Sequence, residues 1–214
     1  MEVPDSTGHM IKVIVVKSDF KIGSKIIKDL SFVVADLPPD FEKNKIAGLL
    51  APNSLSSVVI IDFKMPQLSL GDSIESMQRF SKIELIPRKQ QTACVAPSSS
   101  LFAVDVTIRQ QTTKLLVDSG AETTKIFLGS KIGQSLKPIA RKIEKQTSGL
   151  SGNKVDLLEL PNGPIQFAEY QTTLSVLIQD SHGQGCPSDG LLGMDLLKNC
   201  ILLMAKEDIG LTCK

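Results

Sequence analysis

Tryptophan is absent from this chain of 214 residues, tyrosine occurs once, and aromatic residues make up only 4% of it. With a formal net charge of +1, the chain has neither the stacking platforms nor the basic stripe of a nucleic-acid binder, so nucleic acid is not an expected partner. There are two histidines, His9 and His182, and neither has the Ser or Cys context of a nucleophilic triad. Four cysteines (Cys94, Cys186, Cys200, Cys213) show no Cys-x-x-Cys spacing, which with so few histidines argues against zinc; no metal and no cofactor is expected. No run approaches the roughly 18 to 20 apolar residues of a membrane span. Met1 to His9 lack the charged start and apolar stretch of an export signal.

What is present is a chain able to bury a core. It is 42% hydrophobic and 22% charged, enough for one large or two small domains. The dominant local signal is strand. Short β-branched runs occur at 11–16, 30–35, 57–63, 102–108, 114–117 and 173–178, most of them bounded by polar or glycine-containing segments. Helical periodicity is weak, with room for a turn or so within 125–136 and 191–198. The class expected is all-β.

Two motifs carry chemistry. Leu115-Leu-Val-Asp-Ser-Gly-Ala-Glu-Thr-Thr124 runs an apolar strand into Asp118-Ser119-Gly120. Some 70 residues later comes Asp189-Gly-Leu-Leu-Gly-Met-Asp-Leu-Leu197. A carboxylate at a strand end, a hydroxyl beside it and a glycine where side chains would block an approaching backbone suit general acid-base hydrolysis. Between the motifs, Gln146-Thr-Ser-Gly-Leu-Ser-Gly-Asn153 has the small, glycine-punctuated composition of a hairpin that opens and closes.

The chain also repeats itself. Gly152 to Asp195 and Gly8 to Asn53 each run strand, glycine turn, second apolar strand, loop and Gly-Leu-Leu; the span is 38 positions from Gly152 to Gly190 and 40 from Gly8 to Gly48. Downstream, Val58-Val-Ile-Ile-Asp-Phe63 parallels Cys200-Ile-Leu-Leu-Met-Ala205, and 67–70 parallels 209–213. The division expected is an incomplete first lobe over 1–71, a polar inter-lobe connection over 72–92 whose residues 82–87 alternate like a strand, and a complete lobe over 93–214. The triplet stands 72 residues before Gly190, and the same offset from Gly48 falls upstream of Met1. A matching aspartate of the first lobe is thus expected outside these residues.

The Asp118-Ser-Gly-Ala triplet and the later apolar-apolar-Gly turn resemble the retropepsin-like aspartic proteases, and the repeat is similar to the two-lobed bacterial members of that clan. The resemblance implies acid-protease barrel lobes, the first incomplete, and peptide or protein substrates cleaved by a water held between two aspartates. Two such carboxylates in one site keep one proton between them, so one acts as base while the other donates to the carbonyl. Asp118 would be one of the two. Ser119 would brace the carboxylates across the lobe junction, while Gly120 and Ala121 fit the crowded turn. Leu191, Leu192 and Gly193 would form the strand behind the site, threading a loop shaped like a psi. Thr147, Ser148, Gly149, Leu150, Ser151 and Gly152 would form a flap over substrate. Asp195 is expected to cap a short helix, 196–199. The first lobe departs from the pattern at Gly48-Leu-Leu-Ala-Pro52, where Ala51 stands for the second glycine.

Two other readings of the same residues are a homodimer with Asp118 from each subunit and a non-catalytic module that holds peptides in its cleft. Cysteine clustering near the C-terminus points to a disulfide between Cys200 and Cys213, hence to a periplasmic or secreted protein; the alternative is buried free thiols in a cytosolic one.

Overall fold

The computed structural model describes residues 2–4, 10–34, 36, 39–47, 54–65, 67–75, 77, 86–87, 102–148, 154–167, 169–180, 188–205 and 208–213. The fold is all-β, with three short α-helices among the described residues. Strands β1 (Glu2–Pro4) and β2 (Met10–Lys12) pair with each other, and β3 (Ile14–Ile22) and β4 (Lys25–Val34) form a hairpin turning at Gly23, whose φ is +58°. Helix α1 (Pro39–Lys43) precedes β5 (Val58–Asp62), β6 (Gln67–Gly71) and β7 (Ile86–Pro87). Then come β8 (Ala103–Ile108), β9 (Gln111–Val117), β10 (Lys125–Phe127), α2 (Lys131–Leu136), β11 (Arg141–Ser148), β12 (Lys154–Phe167), β13 (Tyr170–Gln179), β14 (Gly190–Leu192), α3 (Met194–Leu197), β15 (Cys200–Ala205) and β16 (Asp208–Cys213).

Seven strands make the main sheet, in the order β11-β12-β13-β10-β14-β9-β8, and β12 also bonds β8 through Ile165↔Ile108 and Gln166↔Thr107. The strand order therefore returns on itself from β12 through β8. Inside it the alternation of β8 and β9 points Val104, Val106, Ile108 and Leu115 into one core with Ile126, Ile165, Ile178 and Leu192. The β8–β9 turn needs positive φ at two positions, supplied by Arg109 (48°) and Gln110 (68°), as a two-residue hairpin requires.

Strands β9 and β13 run longer than the apolar runs at 114–117 and 173–178, β11 lies outside those runs, and β12 takes in both the first strand and the glycine turn expected after Gly152. The reason is local: Pro161-Asn162-Gly163-Pro164 carries turn chemistry inside β12, and the chain absorbs it as a register shift between Leu160 and Gly163 without ending the strand. Residues 125–136 divide into β10 and α2. The helix starts where Ser130 caps it, its Oγ accepting from Gly133 N–H at 3.0 Å.

A second sheet has the order β6-β5-β15-β16-β7. Its two hairpins have one register: Val58 opposes Gly71 as Cys200 opposes Cys213, and Ile60 opposes Ser69 as Leu202 opposes Leu211, each pair recurring 142 positions on (58 to 200, 71 to 213). Where β5 meets β15, Ile60 faces Leu203 and Ile61 faces Leu202, so exchanging the two hairpins maps the junction onto itself. Ile86 opposes Ile209, which places the end of the 82–87 segment on this sheet's other edge.

A disulfide joins Cys200 to Cys213 across the β15–β16 pair. Replacing both by serine opens a link between residues 13 apart and is expected to lower the unfolding free energy by about 3 kcal/mol, read as an earlier urea midpoint. An unchanged midpoint under oxidising conditions would contradict the bond. Cys94 and Cys186 lie outside the described residues.

The β3–β4 hairpin contrasts with its counterpart. Both hairpins pair antiparallel with one register irregularity, but β12–β13 is covered while Ile14 (68% exposed), Ile26 (59%) and Val33 (62%) face outward.

Candidate active site

Strand β9 ends at Val117, and the next residue, Asp118, opens a tight turn. Three contacts fix its position. Its N–H donates to Leu192 O (3.0 Å) from the neighbouring β14, its carbonyl accepts from Ala121 N–H (3.2 Å), and its Oδ1 accepts from Gly120 N–H (2.9 Å). The carboxylate is half-exposed at the floor of a cleft of ≈ 270 Å³, with Ser119 and Gly120 exposed beside it and Ala121 buried beneath.

Strand β14 supports this turn. It lies between β9, with which it is parallel (Leu191↔Leu116, Leu192↔Val117), and β10, with which it is antiparallel (Leu191↔Lys125). The strand before Gly193 thus runs directly beside the strand that carries Asp118. Leu192 is fully buried and Leu191 nearly so. At Gly193 an added Cβ would stand 2.4 Å from Thr123 C and 2.6 Å from Thr123 O, so only glycine lets the two backbones pass.

Asp195 does not cap a helix at 196–199. Helix α3 begins at Met194 behind Gly193, and the Asp195 carboxylate turns to the other motif: Oδ2 accepts from Thr124 N–H (2.9 Å) and Oδ1 from Thr124 Oγ1 (2.7 Å). The Thr124 hydroxyl, fully buried, in turn accepts from Gly193 N–H (3.2 Å). The half-buried Asp195 carboxylate also accepts from Leu196 N–H (2.9 Å, through Oδ1) in the first turn of α3, and its bonds to Thr124 hold the loop after Asp118 against the loop after β14. Asp189 makes the matching clamp before β14, accepting from Thr113 Oγ1 (2.7 Å) and Lys114 N–H (3.1 Å). The two motifs contain Thr124 and Asp189 without assigning either this role, and Thr113 stands just before the strand run at 114–117. Their signal is an acid on each side of Gly-Leu-Leu-Gly, Asp189 directly before it and Asp195 two residues after it.

The β11–β12 hairpin contributes Lys145, Gln146 and Leu157 to the cleft lining. Its arms are pinned by Arg141 with Glu159 (Nε to Oε2, 2.7 Å) and by Gln146 with Asp156 (2.7 Å), and Arg141 holds the Glu159 carboxyl below its ordinary value. Thr147 and Ser148 end β11, paired with Val155 and Lys154; Gly149, Leu150, Ser151 and Gly152 lie outside the described residues, as does Gly48-Leu-Leu-Ala-Pro52. The cleft wall also carries two lysines. Lys125, on β10, is the more buried, and burial lowers its pKa from the ordinary lysine value, an effect Asp118 opposes and Lys145 reinforces. Among the described residues no group of His, Cys, Asp and Glu could hold a metal, and no helix is long and apolar enough to cross a membrane.

Residues 104–196 match the model of the aspartyl protease family, a stretch that runs from β8 through both motifs to α3. Among solved structures the chain is similar to an EIAV protease complexed with the inhibitor HBY-793, at 16% identity and a TM-score of 0.37, covering 49% of this chain and 91% of that one. No curated protein matches it. The likeness to aspartyl proteases thus lies in residues 104–196, less than half of the chain.

Proposed function

We propose that this protein is an aspartic endopeptidase, a hydrolase that cleaves peptide bonds with a water activated between two carboxylates, of which Asp118 is one. The observation that carries the reading is the turn at Asp118: a carboxylate held at a strand end by Leu192 O and Gly120 N–H, half-exposed in a cleft that the β11–β12 hairpin helps to line. Peptide backbone entering along the cleft meets exposed Gly120 and not a side chain. The flap, over 147–152, would close above it and exclude water. Ser119, exposed beside Asp118, would bond to the opposing half of the site.

The second carboxylate comes from a first lobe that residues 1–71 complete only in part, with 72–92 as the connection and 93–214 as the second lobe. Two features support this. The hairpins 58–71 and 200–213 share one register about a local two-fold axis, and, although Phe20, Ile22 and Ile27 pack on the core, among the described residues Ile14, Ile26 and Val33 of the β3–β4 hairpin stay exposed. Strands equivalent to β8–β10, carrying a second Asp-Ser/Thr-Gly, would bury that face. The homodimer reading is less favoured because the outer edge of β15 is already taken by β5, while among the described residues β7 pairs only with Asp208 and Ile209 of β16. The Cys200–Cys213 disulfide favours a periplasmic or secreted setting.

The test is hydrolysis of an unfolded protein substrate by the protein as its gene encodes it, followed by mass spectrometry. Internal cleavage that is unaffected by a metal chelator is the expected result. Release of terminal residues alone, or loss of activity with the chelator, would contradict the proposal.

A further inference from the structure

We propose that Arg109 is a positioning residue for the substrate cleft: its guanidinium holds a bulge in β12, and through it the section of β12 that carries Leu157 and pairs with β11. The inference rests on the proteolytic reading and adds to it a residue outside the cleft lining.

Between Leu160↔Val176 and Gly163↔Leu174 the register slips by one, so Pro161 and Asn162 together face Ser175. Such a bulge takes residues out of the ladder and bends the strand. Arg109 supplies a donor to both carbonyls. Its Nη2 donates to Pro161 O (2.8 Å) and Asn162 O (3.3 Å), and its backbone N–H donates to Pro164 O (3.1 Å). The guanidinium reaches this place because Gly163 leaves it room: a Cβ there would stand 2.8 Å from Arg109 Nε, and the three atoms nearest to it all belong to Arg109. Ser175 Oγ also donates to Asn162 Oδ1 (2.7 Å), a bond inside β12–β13, whereas Arg109 ties the bulge to another pair of strands.

The place of this clasp matters for the cleft. After the bulge, Ile165 and Gln166 pair with β8; before it, Leu158 and Glu159 lie between β11 and β13, and Leu157 lines the cleft with Gln146 of β11. The bend therefore sets the angle between a section anchored to β8 and a section that walls the cleft. Arg109 joins that bend to the turn that opens β9, the strand that leads to Asp118. A register irregularity does not by itself need such a tie: the one in β3–β4 is held within its own hairpin, where Asp29 N–H donates to Asp19 Oδ1 (3.1 Å).

The experiment compares Arg109→Met, Gly163→Ala and the double variant with the unmodified protein in two readouts, steady-state hydrolysis of one peptide and backbone amide hydrogen exchange. Methionine keeps the length of the stem and removes the donors, while alanine at 163 keeps Arg109 and displaces its guanidinium. Wall residues meet substrate and transition state alike, and the Asp118 turn is held by Leu192 and Gly120, not by Arg109. The expected result for either single variant is a KM raised about 10-fold, the range of a hydrogen bond to a charged group, with kcat within about twofold. Exchange should rise over 141–148 and 154–160 and stay unchanged over 111–117. Because both substitutions undo one contact, the double variant should match the singles and not multiply their effects. Unchanged KM and exchange, a fall in kcat alone, exchange that rises evenly along the chain, or multiplied effects in the double variant would each overturn the role of Arg109 and leave proteolysis standing. Local loosening with no peptide cleaved by any form, the unmodified protein included, would uphold the clasp and sink proteolysis. Should R109M not fold, G163A alone decides by the same KM and exchange criteria.

Discussion

Asp118→Asn is expected to lower kcat/KM for peptide hydrolysis by about 10²- to 10⁴-fold, the size of a general acid-base contribution. The substitution is nearly isosteric. An amide oxygen at the position of Oδ1 still accepts from Gly120 N–H, and the backbone bonds to Leu192 and Ala121 do not involve the side chain. Stability should therefore change little, and a thermal midpoint close to that of the unmodified protein would separate lost chemistry from lost fold. What disappears is the ability of this group to take a proton from water or share one with its partner. Activity within about twofold of the original would show that Asp118 does not carry the reaction.

Gly193→Ala is expected to cost about 3 kcal/mol or more of stability, and activity with it. Its Cβ would stand 2.4 Å from Thr123 C and 2.8 Å from Thr124 N, and backbone atoms cannot turn aside as a side chain does. Relief requires moving the start of α3 away from the loop after Asp118. That stretches the Thr124–Asp195 clamp and weakens the register that puts Leu192 O beneath Asp118 N–H. Gly23→Ala is the control. Nothing lies within 4 Å of a Cβ there, so only its φ of +58° opposes the change, at about 1 kcal/mol. Urea denaturation of the two variants separates crowding from backbone strain. Similar midpoints would mean that the crossing at Gly193 is looser than described.

Much of this architecture was legible in the residues. Glycine at 193 marks a close approach, since a Cβ there would stand 2.4 Å from Thr123 C, whereas at 120 it would meet only Asp118 Oδ1 at 3.1 Å, and the apolar run before Asp118 reads as a strand that shares the core. The strand at 114–117 therefore reads from its apolar run alone, whereas at Gly-Leu-Leu the residues themselves leave room for a helical turn and the strand is what the family resemblance implies. Long-range pairing did not read so directly. That Asp195 reaches across to Thr124 depends on a loop 71 residues away, whereas a helix cap is a local pattern, and local reasoning chose the local partner. In β12, Pro-Asn-Gly-Pro reads as a turn, and only pairing with β13 on one side and β8 on the other keeps it extended. The two lysines escaped for a related reason: Lys125 and Lys145 look like ordinary solvated charges until β10 and β11 bring them to one cleft.

The central claim is a two-carboxylate site assembled within one chain, with Asp118 as one member. Calorimetric titration with a peptide isostere bearing a hydroxyl in place of the scissile carbonyl tests it most directly, because that hydroxyl binds where the water sits between the carboxylates. The account predicts one isostere bound per chain by the protein as its gene encodes it, and greatly weakened binding in D118N. One isostere per two chains, or binding indifferent to Asp118, would contradict it.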